Sequence, residues 1–448
     1  MILDKKHFST IWMKIKEIIE YTKSSNIASR LVSGAFWSVI GKIFGSGFVL
    51  LAFIVVARII GAEKYGELGM VRSTIIMFSG FAGAGMGLTA ARHIALYRNT
   101  NQVKTYEAYL LSHYFSVGFG ILISLLLYFF APMIADKSLK TPYLANNIRL
   151  GTLAMFFMVL NNAQNGALQG FERFKSIAVN TLIQGIVQAL LLIIGAYYLG
   201  IAGVIGGIAI AAFLLWGLNY RAIRMDIPKG SLKSVTISKD TISVLYKFSL
   251  PAAMSSILVV PLFWWCKTFV VQKAGFEAMA NYDVAEQWNF IILFIPATLS
   301  GIIIPILTNT LIKGTIQQYQ KIVMVNILIN AMISVFATLG ICLLAVFILK
   351  SYGRGFNDIT TFRILIISTI PNAIANVLGQ IIASKGKMWI GFSLNFLWVI
   401  WILLFTLLFV GRLGYGALGL ALAMLCAYIL HVITSYAYVW KRITKFNN

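Results

Sequence analysis

GAFWSVIGKIFGSGFVLLAFIVVAR (34–58), joined through the turn IIGAEKYGELG (59–69) to a second apolar run, decides how this chain folds. Each run has about the 20 apolar residues that an α-helix needs to cross a bilayer, yet each carries a cation. Lys42 lies about ten residues, hence roughly 15 Å, into the first run and so near the midplane. Arg72 lies one to two turns into the second, ahead of a glycine ladder at Gly80, Gly83, Gly85 and Gly87. A charge at the centre of a membrane helix costs at least about 2.5–3.5 kcal/mol, so it normally faces a bundle interior or an aqueous cavity. The stretch predicts a membrane protein with a cationic cavity.

The remainder of the chain has the same composition. Of its 448 residues, 59% are hydrophobic and 11% charged, which is unlike a soluble enzyme. Apolar runs recur roughly at 32–56, 67–90, 108–133, 149–170, 177–198, 200–220, 247–270, 284–308, 321–349, 361–383, 388–411 and 413–439. They lack the apolar-polar alternation of a transmembrane barrel, and helices and closed barrels are the two solutions that satisfy the backbone in lipid. The expected fold is all-α, with 12 transmembrane helices.

A net charge of +23 would suit nucleic acid, but the Lys and Arg residues sit in short loops between the runs. With both termini cytoplasmic, about 24 cations fall on the inner side and about 10 on the outer, as the positive-inside rule requires. No nucleic-acid partner is expected. Cys266, Cys342 and Cys426 all lie in apolar runs, so neither a disulfide framework nor a metal site is expected. Without a Walker motif no nucleotide is expected, and no cofactor either.

Amides reveal an internal repeat. Asn161, Asn165 and Gln169 are spaced i, i+4, i+8 and share one helix face, and Asn372, Asn376 and Gln380 repeat the pattern. Gly203 and Gly206 match Gly416 and Gly419 at a similar offset, and Gly61 matches Gly275. Two six-helix halves follow, both with the same orientation because six is even, which gives a parallel repeat. The expected organisation is an amphipathic cytoplasmic segment (1–31), a first lobe (32–223), a cytoplasmic linker (224–246), a second lobe (247–440) and a cytoplasmic tail (441–448). The first segment rests on Phe8, Ile11, Trp12, Ile15, Ile18 and Ile19 at helical spacing among lysines, a pattern suited to an anionic leaflet.

Several residues have two readings. The amide triplets, together with Asn180, Gln184 and Gln188 in the fifth run, either bind helices together or touch the hydroxyls of a sugar chain. Lys267, beside Trp264 and Trp265, either snorkels to the outer interface or faces the cavity. His113 and His431 are structural or carry protons. Glu277, Asp283 and Glu286 either couple ions at the outer mouth or belong to a solvated outer loop, the reading favoured here, and no carboxylate is expected in the middle of a span. A cavity with cations and no matching carboxylates needs an anionic ligand, and arginine offers a planar fork suited to phosphate.

Three stretches carry a family resemblance: VVARIIGAEKYGELGMV (55–71), QGFERFKSIAVNTLIQGIVQALLLIIGAYYLGIAGVIGGIA (169–209), and ASKGKMWIGFSLNFLW (383–398) with GYGALGLALA (414–423). In these the chain resembles the Wzx-type O-antigen and polysaccharide flippases of the multidrug/oligosaccharidyl-lipid/polysaccharide exporter (MOP) superfamily. The resemblance implies two lobes forming a V around a basic lumen, lined mainly by helices one, two, seven and eight. Lys42, Arg58, Arg72 and Lys267 stand where its basic residues would lie. It further implies a transporter of the bacterial inner membrane that flips an undecaprenyl-pyrophosphate-linked oligosaccharide to the periplasmic leaflet by alternating access. A proton or sodium ion would be the coupling ion, and a polysaccharide polymerase and a chain-length regulator would be partners. The alternatives are a multidrug exporter of the same superfamily, a membrane polymerase or glycosyltransferase, and a scramblase that does not couple to ions.

Overall fold

A computed structural model describes residues 26–442 apart from 84, 228–234, 236, 239–240, 243–249, 314 and 386. At some helical positions, Lys42 among them, it describes the backbone alone. The amphipathic pattern expected before residue 26, most of the linker and the residues from 443 on lie outside the described residues.

The described chain is helical throughout. Helix α1 (Asn26–Ile60) begins earlier than the run at 32 suggested, because the polar turns before it continue the same helix. The second crossing is two helices, α2 (Ala62–Gly83) and α3 (Met86–Tyr97), bent by 41° at Gly85. There follow α4 (Gln102–Met133) and α5 (Ala145–Gly170). The tract Phe174–Ile223 is broken at Gly200 (φ 58°) into α6 (174–199) and α7 (201–223). The tract Leu250–Lys313 is broken at Gly275 (φ 82°) into α8 (250–274) and α9 (276–313). The last four crossings are α10 (Ile316–Tyr352), the pair α11 (Ile359–Ile367) and α12 (Thr369–Ser384), α13 (Met388–Thr406) and α14 (Gly416–Arg442).

The breaks between crossings repeat. Gly61 and Gly275 both have φ of 82°, Asn101 and Thr315 cap α4 and α10 through side-chain oxygens, and Gly200 and Gly414 both take positive φ. The members of each pair are 214 positions apart. A turn of one residue between antiparallel helices needs the left-handed backbone that glycine adopts without steric cost. The repeated glycines therefore fix where each half reverses direction.

Within a lobe, helices touch through small residues, as membrane helices do in the absence of a hydrophobic drive between them. Gly45 on α1 lies against Gly185 on α6, where a Cβ on Gly185 would come within 2.5 Å of the Gly45 carbonyl oxygen. Large apolar side chains such as Phe129, Leu343 and Phe347 stay exposed. Such a surface is suited to hydrocarbon.

Candidate functional site

The two lobes meet where α2 packs on the α8–α9 hairpin. A Cβ on Gly66 would overlap the Phe276 carbonyl oxygen, and one on Gly69 would overlap Asp283 Oδ2. Glycine at these positions lets α2 lie directly on α9. Around this contact, Gln287 Nε2 donates to Tyr65 Oη at 2.7 Å and Trp264 Nε1 donates to Thr74 Oγ1 at 2.9 Å. Arg58 Nε donates to the Ser351 carbonyl at 2.5 Å, and the Tyr65 ring meets Tyr352 and Phe356 edge-on. Gln272 Nε2 reaches the Ser138 carbonyl at 2.7 Å. Most of these polar bridges gather near the Gly61 and Gly275 breaks, so one end of the lobe interface is pinned.

Behind the pinned end lies a cavity of about 270 Å³. Arg72 and Gly69 of α2, Trp264 and Lys267 of α8, and Asp283, Glu286 and Gln287 of α9 line it. The Arg72 guanidinium stacks 4.0 Å from the Phe53 ring centroid, and among the described residues it makes no ion pair. Lys267 Nζ lies 3.2 Å from Asp283 Oδ1 and 2.5 Å from Glu286 Oε2. Lys267 and Asp283 are only 8% and 6% exposed. A buried ammonium is tolerable only when paired, and here two carboxylates pair with it.

This overturns two sequence expectations. Asp283 and Glu286 do not lie in a solvated loop, and the cations of the cavity are not without matching carboxylates. The cause is Gly275, which reverses the chain within one residue and leaves FEAMANYDVAEQWN (276–289) as the first turns of α9. Lys267 lies eight residues before Gly275 and Asp283 eight after it, which puts them at equal depth in the hairpin. Helical spacing then sets Glu286 on the Asp283 face.

The four cations nominated by sequence are thus divided. Arg72 and Lys267 share the cavity. Arg58 is exposed and holds the pinned end. The side chain of Lys42 lies outside the described residues.

The amides are mostly joined to one another or to backbone. Asn161 donates to the Ala212 carbonyl at 2.8 Å, Asn219 to Asn165 at 3.1 Å, and Asn180 to Asn219 at 2.9 Å, tying α5, α6 and α7 together. Gln184 bonds Gln188 at 2.5 Å and Asn376 bonds Asn372 at 3.1 Å within their own helices. Gln169 is exposed, and Gln380 is buried. Asn219, the centre of the first network, was missed by the sequence reading, because it is a lone amide near the end of an apolar run. His113 stacks on Tyr109 and His431 packs on Trp398.

Residues 31–311 match the family described as polysaccharide biosynthesis protein. The EPS I polysaccharide export inner membrane protein EpsE of Ralstonia nicotianae is 25% identical over 193 residues, 42% of this chain and 44% of that protein, so the match spans under half of that relative. The lipopolysaccharide biosynthesis protein WzxC of Escherichia coli is 23% identical over 427 residues, 92% of this chain and 81% of that protein. Among solved structures, the inward-facing conformation of a multidrug resistance MATE family transporter of the MOP superfamily superposes with a TM-score of 0.76 at 15% identity, covering 92% of this chain and 98% of that one. An outward-facing conformation of a MATE family transporter gives 0.69 at 15% identity, over 93% and 95%. The fold is therefore that of the MOP superfamily, with twelve crossings in two lobes.

Proposed function

Because the chain belongs to the polysaccharide biosynthesis protein family and has the MOP fold, we propose that it is a flippase, a transporter and not an enzyme. It carries an undecaprenyl-pyrophosphate-linked oligosaccharide from the cytoplasmic to the periplasmic leaflet of a bacterial inner membrane. The observation that carries this reading is the pair Arg72 and Lys267, two cations that line one cavity between the lobes.

The positive-inside topology puts both termini and the 224–246 linker in the cytoplasm, and the Gly61 and Gly275 breaks on the periplasmic side. The pinned end is then the periplasmic gate, and the lobes 32–223 and 247–440 part toward the cytoplasm. The higher likeness to the inward-facing transporter supports this state.

Arg72 accepts the diphosphate first, since among the described residues its guanidinium makes no ion pair and presents paired donors to phosphate oxygens. Lys267 joins when the diphosphate displaces Glu286, the more exposed of its two carboxylates. The lipid tail stays in the bilayer between the lobes while the sugars occupy the lumen. Separation of α2 from the α8–α9 hairpin opens the periplasmic gate, and the Glu286–Lys267 pair re-forms as the head group leaves. A coupling ion supplies direction, and a polymerase and a chain-length regulator act downstream.

Asp283 and Glu286 favour a second reading, export of a cationic drug, since they give the cavity the acidic groups such a substrate needs. Binding separates the two. The flippase reading expects an undecaprenyl-diphosphate oligosaccharide to bind the purified protein and Arg72→Ala to weaken it at least tenfold, with a cationic dye showing no competition. Dye binding that survives Arg72→Ala and is lost in Glu286→Gln, with no binding of the diphosphate lipid, would establish the drug reading instead.

A further inference from the structure

The core-facing side of α10 is polar where a membrane helix should be apolar. Asn326, Asn330, Ser334 and Thr338 recur every four residues, about 6 Å apart along the axis. Asn326, Asn330 and Ser334 are 3%, 1% and 0% exposed. Asn330 Nδ2 donates to Asn326 Oδ1 at 2.7 Å, but Asn326 Nδ2, Asn330 Oδ1 and Ser334 Oγ have no hydrogen-bond partner among the described residues. Each unmet buried polar atom costs about 1–3 kcal/mol, and water is the usual remedy where polar groups lie a few ångströms apart.

The stripe leads to the cavity. Thr338 Oγ1 lies 2.8 Å from Thr369 Oγ1, and the adjacent Ser368 is reached by Asn289 Nδ2, which sits 3.4 Å from its Oγ and 2.9 Å from the Leu365 carbonyl. Asn289 is one helical turn beyond Glu286 on α9. In the other direction the same face of α10 reaches Val323, which belongs to a cluster with Val377 and Ile381 of α12 and also lines a cleft of about 300 Å³ with Gln317, Gln320 and Lys321. The polar line therefore runs from that cleft, one helical turn from Asn326, toward the cavity.

We propose that this line is a file of water inside the second lobe that delivers a proton to Glu286. The transferred proton forms an O–H bond on Glu286 as the neighbouring water gives it up, that water is reprotonated by the next along the file, and the last is reprotonated by water of the cleft beside Gln320 and Lys321. The line contains amides and hydroxyls, which donate and accept alike, and no carboxylate that would hold a metal cation. Glu286 faces Lys267 of α8 and shares the cavity with Arg72 of α2, with Tyr428 of α14 nearby and Asp283 and Tyr282 on its own helix. Protonation of Glu286 weakens its hold on Lys267, the event by which the cavity exchanges partners. The inference rests on the transporter reading but is tested apart from it, since hydration requires no substrate.

The test begins with full-length protein in which Cys266, Cys342 and Cys426 are replaced by alanine. Ser334→Cys and Ala345→Cys are then made separately; Ala345 is fully buried on the same helix among apolar groups. Silver ion displaces the proton of a water-accessible thiol, and the thiol left unreacted is measured by maleimide mass shift after denaturation. Ser334→Cys should react at least tenfold faster than Ala345→Cys, and equal rates would overturn the file. In liposomes under an inward proton gradient, Asn330→Leu should slow proton uptake at least tenfold, with Ser334→Ala as the second variant should the first fold poorly. Absent proton uptake by the unaltered protein, or uptake of sodium in its place, would overturn the proton assignment. Loss of diphosphate-lipid binding by the unaltered protein would count against the proposed function and leave the thiol result standing.

Discussion

Arg72 and Glu286 occupy equivalent stations in the two lobes, and they face one cavity with opposite charge. Each lies eleven residues after a left-handed glycine, Gly61 or Gly275, and the two are 214 positions apart. Phe53 and Lys267 are related in the same way, each eight residues before its glycine. One lobe thus sets a guanidinium on an aromatic ring where the other sets a carboxylate on an ammonium. The pseudo-symmetry places a cation that makes no ion pair among the described residues beside a paired one, and only the second needs a partner removed before it binds an anion.

Removing the ammonium alone should be costly. Lys267→Met leaves Asp283 a buried carboxylate without its ammonium and is expected to destabilise by about 3–5 kcal/mol. The triple substitution Lys267→Met, Asp283→Asn, Glu286→Gln should recover most of that loss without restoring translocation. Thermal unfolding in detergent, read beside transport, checks both halves.

Arg72 should behave differently. It is half-buried and stacked on Phe53, a contact worth about 0.5–2 kcal/mol, so Arg72→Ala should lower stability by no more than that while weakening diphosphate binding at least tenfold. Arg72→Lys keeps the charge and loses the fork, and intermediate binding is expected. Binding titrations on material of matched unfolding temperature provide the comparison.

The pinned end depends on two missing side chains. Gly66→Ala forces a methyl group into the Phe276 main chain and should cost about 1–3 kcal/mol. It should also shift cross-linking between cysteines on α2 and α9 toward the separated state. Gly69→Ala meets the Asp283 carboxylate instead and should disturb the Lys267 pair as well. Unchanged cross-linking in Gly66→Ala would mean that this contact does not close the gate.

Asn219 distinguishes the two readings of the amides. If Asn161, Asn165 and Asn180 hold helices together, Asn219→Leu removes two interhelical bonds at about 0.6 kcal/mol each and lowers the unfolding temperature without altering which oligosaccharides are carried. A change in sugar preference at unaltered stability would show that the amides contact the substrate.

Most of the architecture was legible in the sequence because a membrane helix is written as a long apolar run and a reversal as a glycine or a cap. The pairing of Gly61 with Gly275 located both hairpins, and Arg72 was identifiable as a cation with no place in lipid. The error concerned α9. Its first turns carry Glu277, Asp283 and Glu286, and a charged stretch between apolar runs reads as a loop unless Gly275 is credited with turning the chain in a single residue. Lys267 remained ambiguous for the same reason, since its carboxylates seemed to be in solvent. Asn326, Asn330 and Ser334 were as regularly spaced as the amides that were noticed, and only burial reveals that their polar atoms lack partners.

Leaflet translocation tests the central claim most directly. Proteoliposomes would hold an undecaprenyl-diphosphate oligosaccharide, with the unaltered protein compared with Arg72→Ala and with Lys267→Met, Asp283→Asn, Glu286→Gln at equal folded yield. The account predicts flipping by the unaltered protein and at least a tenfold slower rate in both variants. Flipping at the full rate without Arg72 and Lys267 would contradict it, and those cations would then serve only to hold the lobes together.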